Sequence, residues 1–411
     1  MDNVRITVNS YGNQNLGTKR APLEQIPLNV DRLIDDVYSI ANKPSQRHLR
    51  EFWRRFYAFK EPERIPITVG HSRWMYSEQL DIDLVQTFKN AEAHLQSTLM
   101  MAKAQRDWFR DDGLVGATFG SWNIVDHIDA EISLYFGPPF DTSMFGVEPV
   151  FAKSKDPVNG KPILTTPDDL DTLQYPDFYR SGMMPLAHEF YEYITKRVKG
   201  KLEVTFPRFI TGPWGIAWAL RGLQNLLIDT YRRPDFVHKL MNFITESRIR
   251  WEKERASFLG MSTHHPHVDS DEVDCGVISP KIYREFILPY ERRLADFYGG
   301  EIFYYHSCGN LTLILDSVLS IPGLKRIEIS PWTDLKKAAE LLIGKKVIMQ
   351  RRMRQIPTDE AEIKHMMDMT LREVDGCVAE LDTVDEPIEA SQRWIDVTKS
   401  LVKSLRRSAS D

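Results

Sequence analysis

The clearest chemical signal in the sequence is a histidine and a cysteine two residues apart, His306 and Cys308, after the apolar run Glu301–Tyr305. The run has the composition of a β-strand, and residues two apart on a strand point in the same direction. Imidazole and thiolate are the usual protein ligands of zinc. The pair therefore predicts a zinc site, against the alternative of a core histidine beside a buried structural cysteine.

A third zinc ligand is expected from another strand end. The last predicted strand, Gly376–Leu381, offers two candidates, Cys377 and Glu380. Cys377 is the better chemical match for zinc, whereas Glu380 lies nearer the end of the strand. The two residues differ in strand parity, so at most one of them points at the metal. The alternative for Cys377 is an ordinary small side chain packed against a helix.

A second group of polar residues extends from Thr263 to Glu272, with three histidines and three acids at or after the end of another apolar run. This pattern is typical of a metal or substrate site. Asp269 or Asp271 would then handle protons or orient a metal ligand as a catalytic group. The alternative is a solvated polar loop.

Aromatic residues also follow predicted strands, and together they could line a pocket for a flat apolar ligand. Taken singly, each is more often a core residue. The candidates for substrate binding are Trp74, Tyr76, Phe119, Trp122 and Trp214.

Eight short apolar runs, each followed by helix-like sequence, must position these residues. Repeated strand–helix units indicate a parallel sheet, and eight such units close into a barrel whose active site lies at the C-terminal strand ends. The prediction is an α/β fold, a (β/α)8 TIM barrel with an N-terminal helical extension. The predicted strands are Ile65–Gly70, Val115–Phe119, Leu202–Phe209, Thr263–Val268, Glu301–Tyr305, Arg326–Ser330, Lys346–Gln350 and Gly376–Leu381.

The predicted organisation has two parts. Residues 1–60 form an N-terminal extension that is helical over Val30–Phe59, and residues 61–405 form the barrel. Residues at about 153–182 are rich in Pro, Asp, Lys and Gly, which is typical of an inserted loop or small lobe.

Composition excludes several classes of partner and location. The 411 residues carry a net charge of −5, so no basic face is expected for nucleic acid. No apolar run approaches the roughly 20 residues that span a bilayer. The polar N-terminus lacks the core of a signal peptide, so the expected location is cytoplasmic. Three cysteines in that compartment argue against a disulfide framework and leave metal binding open.

Several longer phrases resemble proteins of the uroporphyrinogen-decarboxylase-like superfamily, over roughly residues 60–405. The resemblance is specific from Phe209 onward and implies the same barrel fold. The phrases are Phe209–Trp214, Leu220–Leu227, Arg233–Leu240, Ser279–Tyr290, Tyr305–Asn310 and Glu386–Ala390.

Within this superfamily, the phrase His306-Ser-Cys308-Gly309 resembles that of the corrinoid-dependent methyltransferases. The resemblance implies a zinc ion held by His306 and Cys308, a third ligand after the last strand that is usually cysteine, and a corrinoid carried by a partner protein. Here the usual cysteine position falls near Glu380, and the nearby cysteine is Cys377. The arginine-rich phrase of the decarboxylases, which use no metal, has no counterpart around Pro62–Met75.

Two methyl transfers fit this branch. In the first, the methyl group of a small-molecule donor, a methoxylated aromatic, passes to Co(I) of the corrinoid protein (O-demethylation), and zinc polarises the ether oxygen. In the second, a methylated corrinoid donates methyl to a thiol or pterin, and zinc binds the thiolate. The first transfer is favoured, because the rim aromatics and the N-terminal extension suit a substrate larger than a small thiol. In addition, Glu380 as a ligand would make the zinc a harder and stronger Lewis acid than two thiolates would.

Three further expectations complete the interpretation of the sequence. A uroporphyrinogen-type decarboxylase remains an alternative enzyme, although His306 and Cys308 would then have no role. A binding subunit without activity is the alternative to any enzyme, and a metal-ligating pair at a strand end argues against it. A homodimer is a possible assembly.

Overall fold

The computed structural model describes residues 29–61, 64–116, 131–261 and 267–408, with side chains up to residue 404. Its strands are short, and three of them are buried at every residue. In chain order they are β1 (Ile67–Gly70), β2 (Ile132–Ser133), β3 (Pro149–Ala152), β4 (Lys155–Asn159), β5 (Val204–Thr205), β6 (His267–Asp269), β7 (Tyr304–His306), β8 (Arg326–Ile329), β9 (Ile348–Met353) and β10 (Val378–Val384).

Eight of these strands form the parallel framework of the fold. Six make one sheet in the order β1, β10, β9, β8, β7, β6, and β2 pairs in parallel with β5. Thr211, which follows β5, forms a parallel bridge with Asp269 at the end of β6 and so links the two sheets. Helices follow the strands along the chain, as parallel connections require. The predicted fold class, a (β/α)8 barrel with a helical N-terminal region, is confirmed.

The helices connect and cover these strands. None of the described helices combines the length and the apolar character needed to cross a membrane. The helices are α1 (Val30–Ala41), α2 (Pro44–Tyr57), α3 (Arg73–Leu80), α4 (Leu84–Thr87), α5 (Ala91–Trp108), α6 (Pro139–Ser143), α7 (Met184–Val198), α8 (Pro213–Arg221), α9 (Leu223–Arg232), α10 (Pro234–Leu259), α11 (Pro280–Ile282), α12 (Leu288–Phe297), α13 (Leu315–Val318), α14 (Leu335–Leu342), α15 (Glu360–Glu373) and α16 (Ile388–Ser408).

The predicted strand positions agree best in the second half of the chain. The predicted strand Val115–Phe119 differs, because Val115 and Gly116 lie in a turn and residues 117–119 are outside the described ranges. The following strand is β2, which the sequence pattern did not predict. Residues 263–266 of another predicted strand are also outside those ranges, and β6 continues to Asp269. The last strand begins later and ends later than predicted, at Val384.

Helix α2 closes one end of the barrel. Its aromatic side chains pack against Phe303 and Ile348, which precede or begin barrel strands. The Trp53 indole N–H donates to the carbonyl of Asp112 at 2.8 Å. The Tyr57 ring meets Phe303 edge-on at a centroid distance of 5.5 Å. Because these contacts lie at the N-terminal ends of the strands, they stabilise the barrel, and the opposite end remains for the site.

The segment after α6 is built on a hairpin. Strands β3 and β4 pair antiparallel, and their exposed face carries Val150 and Val158. A 3₁₀ helix, Pro167–Thr172, follows and begins at a capping box formed by Thr166 and Asp169. The insertion predicted at about 153–182 starts within this hairpin. That it forms a separate lobe stays a prediction.

Candidate functional site

The C-terminal ends of β6 and β7 lie side by side. In the register of the two strands, Asp269 is level with His306. Each strand ends at that residue, and the chain then turns into a loop that carries Asp271 on one side and Cys308 on the other. The backbone N–H of Ser270 donates to the carbonyl of His306 at 2.9 Å, which ties the two loops together.

Three potential ligand atoms converge at this edge. Asp271, His306 and Cys308 offer a carboxylate oxygen, an imidazole nitrogen and a sulfur that all lie within 4.8 Å of one another. His306 Nε2 is 2.9 Å from Asp271 Oδ1 and 3.4 Å from Cys308 Sγ. The Cys308 backbone N–H donates to Asp271 Oδ1 at 3.0 Å. His306 is fully buried, whereas the Asp271 side chain is 45% exposed, so the group opens to solvent on the Asp271 side.

The other face of the His306 ring is held by a buried polar network. His306 Nδ1 lies 2.6 Å from Glu328 Oε2. The Arg352 guanidinium lies 3.1 Å from the same Glu328 oxygen. It also lies 2.9 Å from Asp382 Oδ2. Although burial raises the pKa of Glu328, Arg352 and His306 hold it below its ordinary value. An ionised Glu328 keeps the proton on Nδ1 and leaves Nε2 directed at Asp271 and Cys308, as carboxylates behind metal-bound histidines do.

The loop that carries Asp271 is anchored from behind by Glu291. This carboxyl is fully buried and accepts hydrogen bonds from Ser270 Oγ at 3.0 Å, Tyr283 OH at 2.6 Å and Tyr305 OH at 3.2 Å. Tyr283 begins a single π-helical turn, Tyr283–Ile287, a form that often occurs near functional sites. Because Tyr283 and Tyr305 hold Glu291 in place, its hydrogen bond from Ser270 fixes the turn between Asp269 and Asp271.

Gly309 allows the two loops to approach closely. A Cβ atom at this position would lie 2.8 Å from the Val273 carbonyl oxygen and from Asp274 Cβ. The Asn310 backbone N–H donates to Asp274 Oδ2 at 2.9 Å across the same contact. The glycine of the His-x-Cys-Gly phrase is therefore required by the packing of the loop that follows β6.

The two residues predicted as third zinc ligand lie elsewhere. Glu380 is buried and pairs with Arg326, whose Nε donates to Oε1 at 2.8 Å. Cys377 is half-buried at the start of β10, and its sulfur is 3.6 Å from the carbonyl of Ala339 in α14. The structure places Asp271 beside His306 and Cys308. Among the described residues, it places neither Glu380 nor Cys377 in that group.

The acidic side chains at the rim shift one another's pKa values. Burial and the neighbouring Asp271 raise the pKa of Asp269 well above its ordinary value and that of Glu272 to about 7. Burial alone would raise the pKa of Asp271, but His306 holds it below the ordinary value. Burial would lower the pKa of His306, and Glu328 and Asp271 instead raise it. The site thus has an excess of negative charge, which a bound cation would neutralise.

A cavity of about 170 Å³ adjoins this group, and Asp269, Asp271 and Glu272 form part of its wall. The rest of the described wall combines apolar and polar side chains and comes mainly from the segments around β2 and after β5. Its apolar members include Leu134, Phe136, Phe140, Phe206 and Ile210.

The aromatics predicted from the sequence are placed differently. Tyr76 is buried in the core, where its ring stacks on Trp108 at 5.6 Å and its hydroxyl donates to Gln105. Trp214 is buried in the first turn of α8, and Trp74 is half-buried on α3. None of these three is among the described residues that line the cavity. Phe119 and Trp122 lie outside the described ranges.

The sequence pattern did not single out the cavity residues that follow β5. Phe206, Pro207, Arg208, Ile210 and Thr211 all line the cavity. They lie at or just beyond the end of the predicted strand Leu202–Phe209. The rule that barrel active sites lie at the C-terminal strand ends could have selected this segment.

Comparison with known proteins identifies the family of the chain and supports its fold. Residues 140–356, a little more than half of the chain, match the family "Uroporphyrinogen decarboxylase (URO-D)". Over 142 residues, 34% of the chain, the sequence is 28% identical to a "methylated-thiol--coenzyme M methyltransferase" of Methanosarcina mazei, and the match spans 36% of that relative's length. A solved structure titled "methyltransferase from Methanosarcina mazei" superposes with a TM-score of 0.59 at 15% identity, covering 84% of this chain and 97% of the other. At that identity, the superposition shows the fold.

Proposed function

Since this chain belongs to the uroporphyrinogen decarboxylase (URO-D) family, we propose that it is a zinc-dependent methyltransferase of that family and that it demethylates small methoxylated aromatics. The observation that carries the proposal is the convergence of Asp271, His306 and Cys308 beside a cavity lined by aromatic side chains. The methyl acceptor is the Co(I) corrinoid of a partner protein.

The three residues fit a zinc ion. Imidazole, thiolate and carboxylate are all zinc donors, and three protein ligands with an open position are typical of catalytic zinc. The negative charge around His306 favours a dication at this place. Zinc held by Asp271, His306 and Cys308 would supply Lewis acidity toward a donor oxygen. One thiolate and one carboxylate make a harder site than two thiolates, which favours oxygen over sulfur as the donor atom.

The cavity fits one aromatic ring. Apolar cavities of roughly 150 Å³ accept benzene, and this cavity measures about 170 Å³. A corrin ring has no room inside it. The acceptor must therefore approach from the rim, where Asp271 is exposed and Cys308 half-buried.

The reaction breaks the bond between the methyl carbon and the aryl oxygen and forms a bond between that carbon and cobalt. The electron pair of the broken bond stays on the aryl oxygen, which takes up a proton and leaves as a phenol, while Co(I) becomes methyl-Co(III). The cavity wall holds the ring in one orientation and excludes water, so that attack on the methyl group is in line. Asp269 and Glu272 line the cavity beside the proposed zinc site, and their raised pKa values suit delivery of that proton.

A second candidate is methyl transfer that involves a thiol. The name of the Methanosarcina mazei relative, a methyltransferase acting between a methylated thiol and coenzyme M, supports it. Cys308 as a thiolate ligand is compatible with either reaction.

One experiment separates these reactions. Zinc-loaded protein is mixed with free cob(I)alamin and either 4-methoxyphenol or dimethyl sulfide, and separately methylcobalamin is mixed with 2-mercaptoethanol. Cobalt oxidation state is followed by absorbance. Loss of Co(I) with 4-methoxyphenol supports O-demethylation. Reaction only with the sulfur compounds favours the second candidate, and no reaction in any arm with zinc bound contradicts both.

A further inference from the structure

One buried carboxyl group, that of Glu291 on α12, binds both chain segments that carry the metal group. The side chain is fully buried. Its Oε1 atom accepts the Ser270 hydroxyl at 3.0 Å and the Tyr305 hydroxyl at 3.2 Å. In the sequence, Ser270 directly precedes Asp271, and Tyr305 directly precedes His306. Glu291 therefore holds the chain one residue before each of two proposed zinc ligands.

Glu291 reaches these segments from the side of the sheet opposite to the metal group. Successive residues of a strand point to opposite faces, so Tyr305 points away from the face on which His306 lies. His306 meets Glu328 within the barrel, whereas Tyr305 meets α12. Among the described residues, Glu291 has no hydrogen bond or ion pair with a proposed ligand. Any effect of this carboxyl on a bound metal must therefore pass through the two segments.

Ser270 is the tighter of the two connections to the metal group. Its backbone N–H donates to the His306 carbonyl at 2.9 Å, and its hydroxyl donates to Glu291. The hydroxyl fits because residue 212 is glycine, where a Cβ atom would lie 2.7 Å from Ser270 Oγ. The next side chain, that of Asp271, is 45% exposed and is open to solvent on one side. The Ser270 hydroxyl thus supplies a buried fixed point for a ligand that is itself half in solvent.

We propose that Glu291 is a positioning residue of the metal site, which raises the affinity for zinc by fixing the two ligand-bearing segments at the separation that the ion requires. This role rests on the zinc site proposed above. Ligands that are held in place before the ion arrives bind it without a further cost of ordering. Residues that support metal ligands in this way typically change metal affinity by about 10- to 100-fold.

Two single changes at the same carboxyl separate positioning from general packing. Ser270→Ala removes a hydroxyl on a ligand-bearing segment. Tyr283→Phe is the matched control, because it removes the hydroxyl that donates to Glu291 Oε2 at 2.6 Å from a turn without a proposed ligand. Ser270→Ala should lower zinc affinity by about tenfold. Tyr283→Phe should stay close to the wild type, since Ser270 and Tyr305 still bind the carboxyl.

Competition with a chelating dye at about pH 8 measures the affinity. Burial raises the pKa of Glu291 to about 7, so the carboxyl is mainly ionised at that pH. A second readout is the absorption spectrum of the cobalt(II)-substituted protein, whose bands depend on the number and arrangement of the ligands. Ser270→Ala should change this spectrum, and Tyr283→Phe should not. Glu291→Gln keeps one oxygen as an acceptor for Ser270 and should retain more affinity than Glu291→Leu, which keeps none.

Wild-type zinc affinity in Ser270→Ala, or equal losses in Ser270→Ala and Tyr283→Phe, would overturn the positioning role. So would a folded Glu291→Leu variant that binds zinc like the wild type. If that variant does not fold, the comparison of the two hydroxyl variants still decides. A wild type that holds zinc but transfers no methyl group to cob(I)alamin contradicts the proposed reaction and leaves the positioning role standing. Methyl transfer together with unchanged zinc affinity in Ser270→Ala does the reverse.

Discussion

His306 and Glu328 are joined through the imidazole Nδ1, which lies 2.6 Å from Glu328 Oε2 in the fully buried interior of the barrel. The two residues come from adjacent parallel strands, β7 and β8. This contact fixes which imidazole nitrogen is available to a metal. It also links the rim to the ion pair between Arg352 and Asp382 below it.

Replacing Glu328 should therefore weaken zinc binding without touching a proposed ligand. Glu328→Gln keeps the side-chain shape but removes the charge that favours a proton on Nδ1. We expect roughly a 10- to 100-fold loss of zinc affinity, as for other residues that support a metal-bound histidine. Competition with a chelating dye measures it. Glu340→Gln on the exposed side of α14 is the control, and equal affinity in the two variants would contradict the role of Glu328.

The proposed zinc ligands can be separated from the residues favoured by sequence alone. Cys308→Ala and Asp271→Ala should each remove most of the bound zinc, because a site with two protein ligands holds the ion weakly. Cys377→Ala should retain it, since Cys377 lies at the start of β10 against α14. Metal content after gel filtration is the measurement. Full zinc in Asp271→Ala together with loss in Cys377→Ala would restore Cys377 as the ligand.

The Arg326–Glu380 pair should contribute to stability rather than to metal binding. Both side chains are fully buried, so Glu380→Gln leaves an uncompensated charge and should destabilise the fold by about 3–5 kcal/mol. The double change Arg326→Met and Glu380→Leu should recover much of this loss, because it removes both charges. Chemical denaturation measures the free energy of unfolding. A Glu380→Gln variant that is as stable as the wild type but lacks zinc would instead identify Glu380 as a ligand.

His94 should make the fold sensitive to mild acid. It is fully buried, its Nδ1 donates to the Thr87 carbonyl at 3.0 Å, and burial and then Arg73 lower its pKa to about 3. The unfolded chain, with a histidine pKa near ~6.5, binds the proton first, so stability falls as pH drops from about 6.5 toward 3. Between pH 7 and pH 5 this one group should cost about 2 kcal/mol.

Thermal unfolding of the wild type and of His94→Gln at the two pH values checks this expectation. The glutamine can still donate to Thr87 but does not titrate in this range. The variant should lose less stability than the wild type between pH 7 and pH 5. An equal loss in both proteins would mean that His94 is not the group responsible.

Much of the fold could be predicted because strand and helix signals are local. The strands from β7 to β10 overlap the predicted runs, since each is a compact apolar segment between turn residues. β1, β5 and β6 overlap predicted runs as well, whereas β2 was not predicted. β2 is two residues long and owes its place to pairing with β5 rather than to a strong local pattern.

The sequence by itself determined the pairing of His306 with Cys308, because two residues two apart at a strand end share a direction whatever surrounds them. It also determined the fold class, through the repeated strand–helix pattern. Only the tertiary structure decided which third side chain lies beside His306 and Cys308. Arg326 engages Glu380 inside the barrel, and the bond between Ser270 and Glu291 turns Asp271 toward His306. Such choices depend on charges and donors brought together from distant parts of the chain, which residue spacing cannot encode.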